Sequence, residues 1–488
     1  MAAEVAQHIV FVPFAAQGHV APMLHLAHAV AVRGDVSATV AVPDFIHRRM
    51  SQYSGEAGAG VALVPIPSSV PDDGGDEPPG PASIVHSMEH HMPAQLEGML
   101  TTQRGIGALR VSCLVVDLLA SWAIPVAARC GLPVVGFWVG MLATYRTVAV
   151  IPELIGKGFI SESDCPYAHE GILLPRDGID EDHFDKHQDI GDVNILPAKL
   201  KLRMKDFPWL VGGGGGGALS QKSRFAFWLQ TVDRAKNLRS ILVNSFRDEG
   251  GDSDRYDPPE GQQILHVGPV LLSDDLKKTT TMWLADETCM GWLDKQSPES
   301  VIYVSFGSWA APIGPDKITG FARGLEASGR PFLWVLKNHP SWRAGLPDRY
   351  TEKVDSRGKI ISWAPQDDVL QHVAVGCYIM HCGWNSMLEA VRYGVRMICY
   401  PISADHFINC AYIINMWEAG IALVSSDQSD VKDCIERVME GEEGSRLKGK
   451  VNELREKIMG GDAVRVAKMS LDLFMEGIKN HDTETGGK

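Results

Sequence analysis

Short runs of apolar residues alternate with amphipathic segments along most of this chain. In the N-terminal half, buried strands are predicted at residues 8–14, 111–116 and 132–137, and helices at residues 20–33 and 121–130. In the C-terminal half, strands are predicted at residues 301–306, 332–336, 359–363, 378–381 and 397–400, and helices at residues 316–328 and 464–478. The chain therefore repeats one strand–helix pattern in its two halves.

This alternation predicts an α/β fold. Strands that are apolar on both faces are typical of parallel sheets covered by helices on both sides, and two such halves predict two Rossmann-like, doubly wound domains. The Gly-, Asp- and Pro-rich stretch at residues 248–261 predicts a loop before the junction, so we place the domains at residues 1–265 and 266–460. Residues 461–488 are predicted to contain a C-terminal helix at residues 464–478, followed by ten disordered residues.

The composition is that of a globular protein with an acidic balance. The 488 residues include 45% hydrophobic and 22% charged residues, and the formal net charge is −14. That charge repels phosphate backbones and anionic lipid surfaces, so nucleic acids and membrane surfaces are poor partners. The apolar run at residues 9–16 is too short to span a bilayer, and no Lys or Arg precedes it as in a signal peptide.

The cysteines form no disulfide or zinc pattern in the sequence. There are nine of them, an odd number, and none belongs to a Cys-x-x-Cys pair. Such usage is typical of buried thiols in a reducing compartment, so we expect a cytoplasmic protein. The acidic clusters at residues 180–182 and 252–254 lie in predicted loops without neighbouring strands, so no metal site is predicted.

The densest group of candidate binding residues follows the strand predicted at residues 378–381. A helix begins near Trp384, and the unpaired N–H groups and the dipole of a helix start favour an anion. Gly383 permits close approach, and Asn385 and Ser386 add side-chain donors. This arrangement predicts a diphosphate site, in which hydrogen bonds supply most of the affinity because the dipole contributes only about 0.3–1 kcal/mol.

Other polar and aromatic residues follow neighbouring strands. Trp363 can stack its ring on a nucleobase, and Glu389, one helical turn after Asn385, can accept hydrogen bonds from ribose hydroxyls. Asp405 and His406 follow the strand at residues 397–400, at the sheet edge where ligands bind in open α/β folds. Their polar side chains can hold sugar hydroxyls.

The segment from Trp363 to His406 closely resembles the signature box of plant family 1 UDP-glycosyltransferases. The resemblance extends over nearly the whole chain, through Pro13, Gln17-Gly18-His19, Pro22, Asp206-Phe207-Pro208, Asn244-Ser245-Phe246, Gly268-Pro269 and Val304-Ser305-Phe306-Gly307-Ser308. It implies the GT-B fold, in which two Rossmann-like domains face a central cleft, with the donor held mainly by the C-terminal domain and the acceptor by the N-terminal one. It also implies that the C-terminal helix returns to the N-terminal domain.

By this resemblance, different residues of the box bind different parts of the UDP-sugar. The implied roles are uracil binding for Trp363 and Ala364, ribose binding for Gln366 and Glu389, phosphate binding for Ser308, His381, Asn385 and Ser386, and sugar contact for Trp384, Asp405 and His406, with Gly18 and Gly383 also in the donor site. The departures from the family pattern at Met380, Met387 and Arg396 look peripheral to the ligand. His406 differs, because most glucosyltransferases of this family have Gln at that position.

His19 and Asp117 are the predicted catalytic pair. His19 opens a helix, whose start disfavours the imidazolium and keeps the ring neutral. Asp117 ends an apolar strand, where an unpaired carboxylate would be destabilising, so a partner is expected. Singly, these residues read as a loop histidine and a helix cap, but both match the family's base and its partner. If they meet, Asp117 orients His19, which accepts the proton of the acceptor hydroxyl.

The sequence does not determine which acceptor and which sugar the protein uses. An apolar acceptor pocket is predicted from Phe14, His86, Phe137, Trp138, Met141 and Trp209. The predicted reaction is inverting, cofactor- and metal-independent transfer of a hexose, glucose before galactose, from a UDP-sugar co-substrate to a hydroxyl of a small lipophilic or phenolic plant metabolite. We expect a monomer. Transfer to nitrogen, sulfur or carbon, and a non-catalytic sugar-nucleotide-binding protein, are the alternatives.

Overall fold

The computed structural model describes most of the chain. It covers residues 7–33, 36–53, 60–72, 79–102, 106, 110–157, 160, 196–197, 200, 206–209, 218–250, 258–268, 281–308 and 312–485. The acidic clusters at residues 180–182 and 252–254 lie outside the described residues.

The N-terminal half builds a seven-stranded parallel sheet. Its strands are β1 (Gln7–Val12), β2 (Val36–Pro43), β3 (Val61–Ile66), β4 (Val111–Asp117), β5 (Val134–Trp138), β6 (Ser240–Val243) and β7 (Gln263–His266). They lie in the order β3-β2-β1-β4-β5-β6-β7, and each neighbouring pair is parallel. The central strand β1 is buried along its whole length, as expected between two layers of helices.

Helices cover both faces of this first sheet. In the described part of this half they are α1 (Gln17–Ala31), α2 (Asp44–Tyr53), α3 (Pro81–His90), α4 (Met92–Thr101), α5 (Ala123–Arg129), α6 (Leu142–Ala149), α7 (Ile151–Gly156) and α8 (Ala218–Ala235). A 3₁₀ turn at Leu118–Ala120 directly follows β4. The chain therefore turns sharply at the carboxyl edge of the central strands.

The C-terminal half builds a second parallel sheet of six strands. They are β8 (Val301–Ser305), β9 (Phe332–Val335), β10 (Gly358–Ile361), β11 (Val375–Met380), β12 (Arg396–Cys399) and β13 (Gly420–Ala422), in the order β10-β9-β8-β11-β12-β13. The helices of this half are α9 (Thr288–Leu293), α10 (Pro315–Ala327), α11 (Pro340–Arg343), α12 (Tyr350–Val354), α13 (Gln366–Gln371), α14 (Trp384–Arg392), α15 (His406–Ala411), α16 (Gln428–Met439), α17 (Gly441–Met459) and α18 (Gly461–Thr485). A π-helical segment at Tyr412–Met416 continues α15. The two sheets confirm the predicted pair of doubly wound halves.

The last helix packs against the first sheet. Leu471, Phe474 and Ile478 of α18 belong to the same buried cluster as β1, β2 and β4, and Arg33 donates to Asp472 at 3.2 Å. The helix continues to Thr485, so the prediction that the last ten residues are disordered is wrong for residues 479–485. Adding polar residues to a formed helix is easier than starting one, so the helix outlasts its apolar stripe.

The structure also bears on membranes and disulfides. Within the described residues, no helix combines the length and apolar character needed to cross a bilayer. The eight cysteines in the described ranges are all free thiols, and most of them are buried.

Candidate active site

The predicted catalytic pair meets at the carboxyl edge of the first sheet. His19, in α1 after β1, places Nδ1 2.7 Å from Oδ2 of Asp117, the last residue of the neighbouring strand β4. The side chain of Asp117 is only 1% exposed, and it also accepts from the backbone N–H groups of Phe14 (3.1 Å) and Leu119 (3.0 Å). These donors satisfy and orient the buried carboxylate. Because Nδ1 donates to Asp117, Nε2 is the ring atom that can accept a proton.

A proline in α1 connects this pair to the second half of the chain. Pro22 lies inside the helix and has no N–H, so it cannot donate to the carbonyl of Gly18 four residues earlier. The Nδ2 atom of Asn385 donates to that carbonyl instead, at 2.7 Å. Asn385 lies in the first turn of α14. The phosphate contact of Asn385 stays a prediction, and the structure shows that Asn385 binds the first turn of α1 beside His19.

The indole of Trp384 makes a second contact between the two halves. Its Nε1 donates to the backbone oxygen of Asn244 at 2.7 Å, and the side chain is 4% exposed. The indole N–H is therefore used by this contact, and the predicted contact of Trp384 with the sugar stays a prediction.

The predicted ribose-binding residues form one hydrogen-bonded network. Gln366 Nε2 donates to Glu389 Oε2 (2.6 Å) and to Ser386 Oγ (3.1 Å). Its Oε1 accepts from the hydroxyls of Tyr303 (3.0 Å) and Tyr378 (3.1 Å). The amide of Gln366 is thus fixed in orientation, and it holds the Glu389 carboxyl in the second turn of α14.

We expect donor affinity to fall at acidic pH because of Glu389. Burial raises the pKa of Glu389 to about 7, against the opposing hydrogen bond from Gln366. Below that pH the carboxyl becomes protonated and can no longer accept from two ribose hydroxyls. The Kd of UDP, measured by calorimetry from pH 8 to pH 5.5, should rise by up to about tenfold per unit below the pKa. UDP itself titrates in this range, so the control is Glu389→Gln, which should bind UDP more weakly and lose the added pH dependence. An identical profile in both proteins would contradict the assignment.

His381 is enclosed by two glycines, Gly307 and Gly383. A Cβ atom would lie 2.6 Å from His381 Nε2 if built on Gly307, and 2.5 Å if built on Gly383. Gly307 also has a φ of +87°, a backbone conformation that favours glycine. Burial lowers the pKa of His381 to about 3, and the nearby His406 acts in the same direction. The ring is therefore neutral at pH 7 and held where the two glycine loops converge.

His406 packs edge-on against His381, with ring centroids 4.7 Å apart. The backbone N–H of Ser403 donates to His406 Nδ1 at 3.2 Å, and burial lowers the pKa of the ring to about 4. The neutral ring therefore carries its proton on Nε2 and presents a donor. Burial raises the pKa of Asp405, and the amide of Asn409, which donates to Asp405 Oδ2 at 2.8 Å, opposes this rise.

An aromatic cluster surrounds the predicted uracil site. The ring of Trp363 lies against Trp283, with centroids 4.6 Å apart, and it borders a small cavity whose lining includes Gly307, Lys337 and Trp342. Lys337 is buried, lies over the rings of Trp283 (5.2 Å) and Trp342 (4.7 Å), and donates to the carbonyl of Ser308 at 3.0 Å. The sequence analysis missed Trp283 and Lys337. Lys337 stands two residues after β9, a strand-end position that could have indicated it; Trp283 carries no such signal.

Ala364, also predicted at the uracil site, is largely buried beside Trp363. Gly18 and Gly383 flank the junction where α1 and α14 meet. All the predicted donor-binding residues lie in the described part of the chain.

The predicted acceptor residues do not form one pocket lining. Phe14 is partly exposed beside His19, at 5.1 Å between ring centroids, and Phe227 of α8 lies 6.5 Å from Phe14. Phe137 and Met141 are 0% exposed in the core, and Trp209 and Trp138 are nearly as buried within a second aromatic cluster. His86 is exposed, and its ring lies tilted against that of His90, with centroids 4.6 Å apart. Phe14 therefore packs against the ring of the proposed base, and Phe227, which the sequence analysis did not identify, packs against Phe14.

Comparisons with known proteins agree with this geometry. The family model described as UDP-glucoronosyl and UDP-glucosyl transferase matches residues 285–448. UDP-glycosyltransferase 82A1 of Arabidopsis thaliana is 41% identical over 97% of this chain and 98% of its own, and 7-deoxyloganetin glucosyltransferase of Gardenia jasminoides is 29% identical over 92% of both. The structure of UGT71G1 from Medicago truncatula, complexed with UDP-glucose, has a TM-score of 0.74 at 21% identity, covering 97% of this chain and 99% of its own. The chain belongs to plant family 1 of the UDP-glycosyltransferases.

Proposed function

We propose that this enzyme transfers a hexose, glucose before galactose, from its UDP-sugar to a hydroxyl of a small lipophilic or phenolic metabolite. The observation that carries the proposal is the His19–Asp117 pair at 2.7 Å, held beside the start of α14 by the bond from Asn385 to Gly18. A base and a predicted diphosphate site thus lie next to each other. A relative named as a glucosyltransferase and a neighbour solved with UDP-glucose support glucose as the sugar.

In the proposed mechanism, His19 activates the acceptor hydroxyl. Its Nε2 accepts the hydroxyl proton while the oxygen attacks the anomeric carbon, and the bond from that carbon to UDP breaks with its electrons moving to the diphosphate. Asp117 stabilises the imidazolium that forms. The first-turn N–H groups of α14 offset the negative charge of the departing UDP. A single displacement of this kind inverts the anomeric carbon.

The geometry favours oxygen as the acceptor atom. An alcohol must lose its proton as it attacks, and a partly exposed His19 oriented by a buried Asp117 supplies a base for that step. Thiols and amines attack with less assistance from a general base, so the His–Asp pair would contribute little to transfer to sulfur or nitrogen. The same pair argues against a protein that only binds sugar nucleotides.

We also propose that the enzyme works in the cytoplasm, as a monomer, without a cofactor or a catalytic metal. The free thiols of the described cysteines suit a reducing compartment. The hydrogen-bond donors of the proposed donor site are sufficient to bind a diphosphate without a cation.

A screen of acceptors tests the proposed function. The protein is incubated with UDP-glucose and a panel of phenols, terpenoid alcohols, thiols and amines, and free UDP and product mass are both measured. We expect UDP release to depend on a hydroxyl acceptor and to match the amount of a singly glucosylated product. UDP release only with thiols or amines would contradict the choice of oxygen, and tight UDP-glucose binding without transfer to any acceptor would favour the binding-protein alternative.

Donor choice is expected to depend on His406. Its Nδ1 already accepts from Ser403, so the ring offers the sugar one donor and no acceptor. A Gln side chain offers both a donor and an acceptor, so it can pair with neighbouring hydroxyls. A mispaired hydroxyl destabilises binding by roughly 1–3 kcal/mol, so His406→Gln should raise the preference for UDP-glucose over UDP-galactose by about 10- to 100-fold. Competition assays with both donors measure this ratio. If wild type prefers UDP-galactose and the variant reverses it, glucose is the wrong donor; if neither ratio moves, His406 does not contact the sugar.

A further inference from the structure

Three cysteines from separate elements meet beneath the donor site. Cys382 follows β11, Cys399 ends β12 and Cys410 lies in α15. Their sulfur atoms all lie within 4.8 Å of one another. Cys382 and Cys399 are fully buried, and Cys410, 8% exposed, is the least buried of the three. The proposed sugar transfer does not use any of these thiols.

The backbone is arranged to bring these sulfur atoms together. Cys382 has a φ of +67°, a left-handed conformation that is strained for a residue with a side chain. Asn409 is fully buried, and its Nδ2 donates to the carbonyl of Cys382 at 2.9 Å as well as to Asp405. The turn that carries Cys382 is therefore fixed to α15, the helix that carries Cys410.

We propose that Cys382, Cys399 and Cys410 form a binding site for one thiophilic metal ion of the Zn²⁺ and Cd²⁺ class. A trigonal site with metal–sulfur distances of about 2.3 Å places the sulfur atoms about 4 Å apart, which the observed spacing reaches with small shifts. The surrounding cluster is apolar, with Met380, Trp384 and Ile408 among its members. Sulfur ligands in such surroundings select soft ions over hard ones such as Mg²⁺, which keep oxygen ligands and water.

Binding of an ion changes the protonation of the cluster. A divalent ion M²⁺ held by Cys382, Cys399 and Cys410 takes them as thiolates, so the three thiols release three protons and leave a complex with a net charge of −1.

Titration of the full-length protein with Cd²⁺, in a non-thiol reductant, tests the site. We expect one equivalent to bind, with a sulfur-to-cadmium absorption band in the near ultraviolet. Cys399→Ala and Cys410→Ala should each weaken binding by at least about tenfold, because each removes one of three ligands. Cys434→Ala is the control, since Cys434 is similarly buried but lies in a different core cluster. Two cluster variants keep the test valid if one of them fails to fold. Absence of the band, or an unchanged band in both cluster variants, would overturn the proposal.

Metal binding should also slow sugar transfer, an expectation that rests on the proposed function. Drawing the sulfur atoms together moves Cys382, beside His381, and moves α15, which begins at His406. We expect Cd²⁺ to inhibit wild type and to leave Cys399→Ala active. Equal inhibition of both proteins would overturn this coupling. The absorption titration needs no transfer, so failure of the metal site and failure of the proposed function are distinguishable.

Discussion

Replacing His19 with alanine is expected to lower kcat by about 10²–10⁴-fold, the range that general-base catalysis supplies. His19 is the side chain that Asp117 orients at the carboxyl edge of the first sheet. Asn385 donates to the backbone carbonyl of Gly18, which the variant keeps, so its donor site should stay intact. Steady-state kinetics with a hydroxyl acceptor measure kcat, and calorimetry measures the Kd of UDP, which should change little.

A second His–Asp pair provides the matched control for this experiment. His372 Nε2 lies 3.2 Å from Asp294 Oδ1, in the C-terminal half and outside the proposed site. His372→Ala should therefore leave kcat within a few-fold of wild type. Near-wild-type turnover of His19→Ala on an alcohol would remove His19 from the proposed mechanism.

Asp117→Asn is expected to lower kcat by up to about 10⁴-fold, the loss seen when the same change is made in a Ser-His-Asp triad. Oδ2 of Asp117 accepts from Phe14 N–H and from His19, and Oδ1 accepts from Leu119 N–H. An asparagine has one oxygen, so its NH₂ group must face one of these donors. If it faces His19, the ring must accept on Nδ1 and carry its proton on Nε2, where it can no longer act as a base.

Measuring kcat at several pH values, together with thermal unfolding and UDP affinity, separates this tautomer effect from a loss of structure. A wrong tautomer lowers kcat at every pH while the thermal unfolding temperature and UDP affinity stay close to those of wild type. Asp294→Asn, in the control pair, should leave kcat, the unfolding temperature and UDP affinity close to those of wild type. A folded Asp117→Asn enzyme that retains more than a third of wild-type kcat would contradict the orienting role of the carboxylate.

The parts of the fold that the sequence predicts are those with long apolar runs. β1, β4, β8 and β11 are buried throughout or nearly so, and each appears within a few residues of its prediction. The sequence analysis did not assign β2, β3, β6, β7 or β13. Ser37 and Thr39 interrupt the apolar residues of β2, and β3 has mixed burial and an internal Pro65. The other three strands have only three or four residues each. Short or half-exposed strands are held by their neighbours in the sheet, and local sequence carries little of that information.

The candidate site, like the fold, could be predicted from the sequence only in part. Residue types at strand ends pointed to Trp363, Glu389 and the residues around His406, since parallel strands place their carboxyl ends on one edge. The contact between Asn385 and Gly18 joins residues 367 positions apart, so no local pattern could indicate it. The cysteine cluster was likewise missed, because its three members share no motif spacing and meet only when β11, β12 and α15 pack together.

The anomeric configuration of the product tests the proposed mechanism most directly. Wild-type protein is incubated with UDP-glucose, which is α-linked, and a hydroxyl acceptor found in the screen, and the product is analysed by proton NMR alongside a reaction with His19→Ala. Attack by a His19-activated hydroxyl in a single displacement predicts a purely β-linked glucoside from wild type and almost none from the variant. An α-linked product, or a β-linked product formed equally fast without His19, would contradict it.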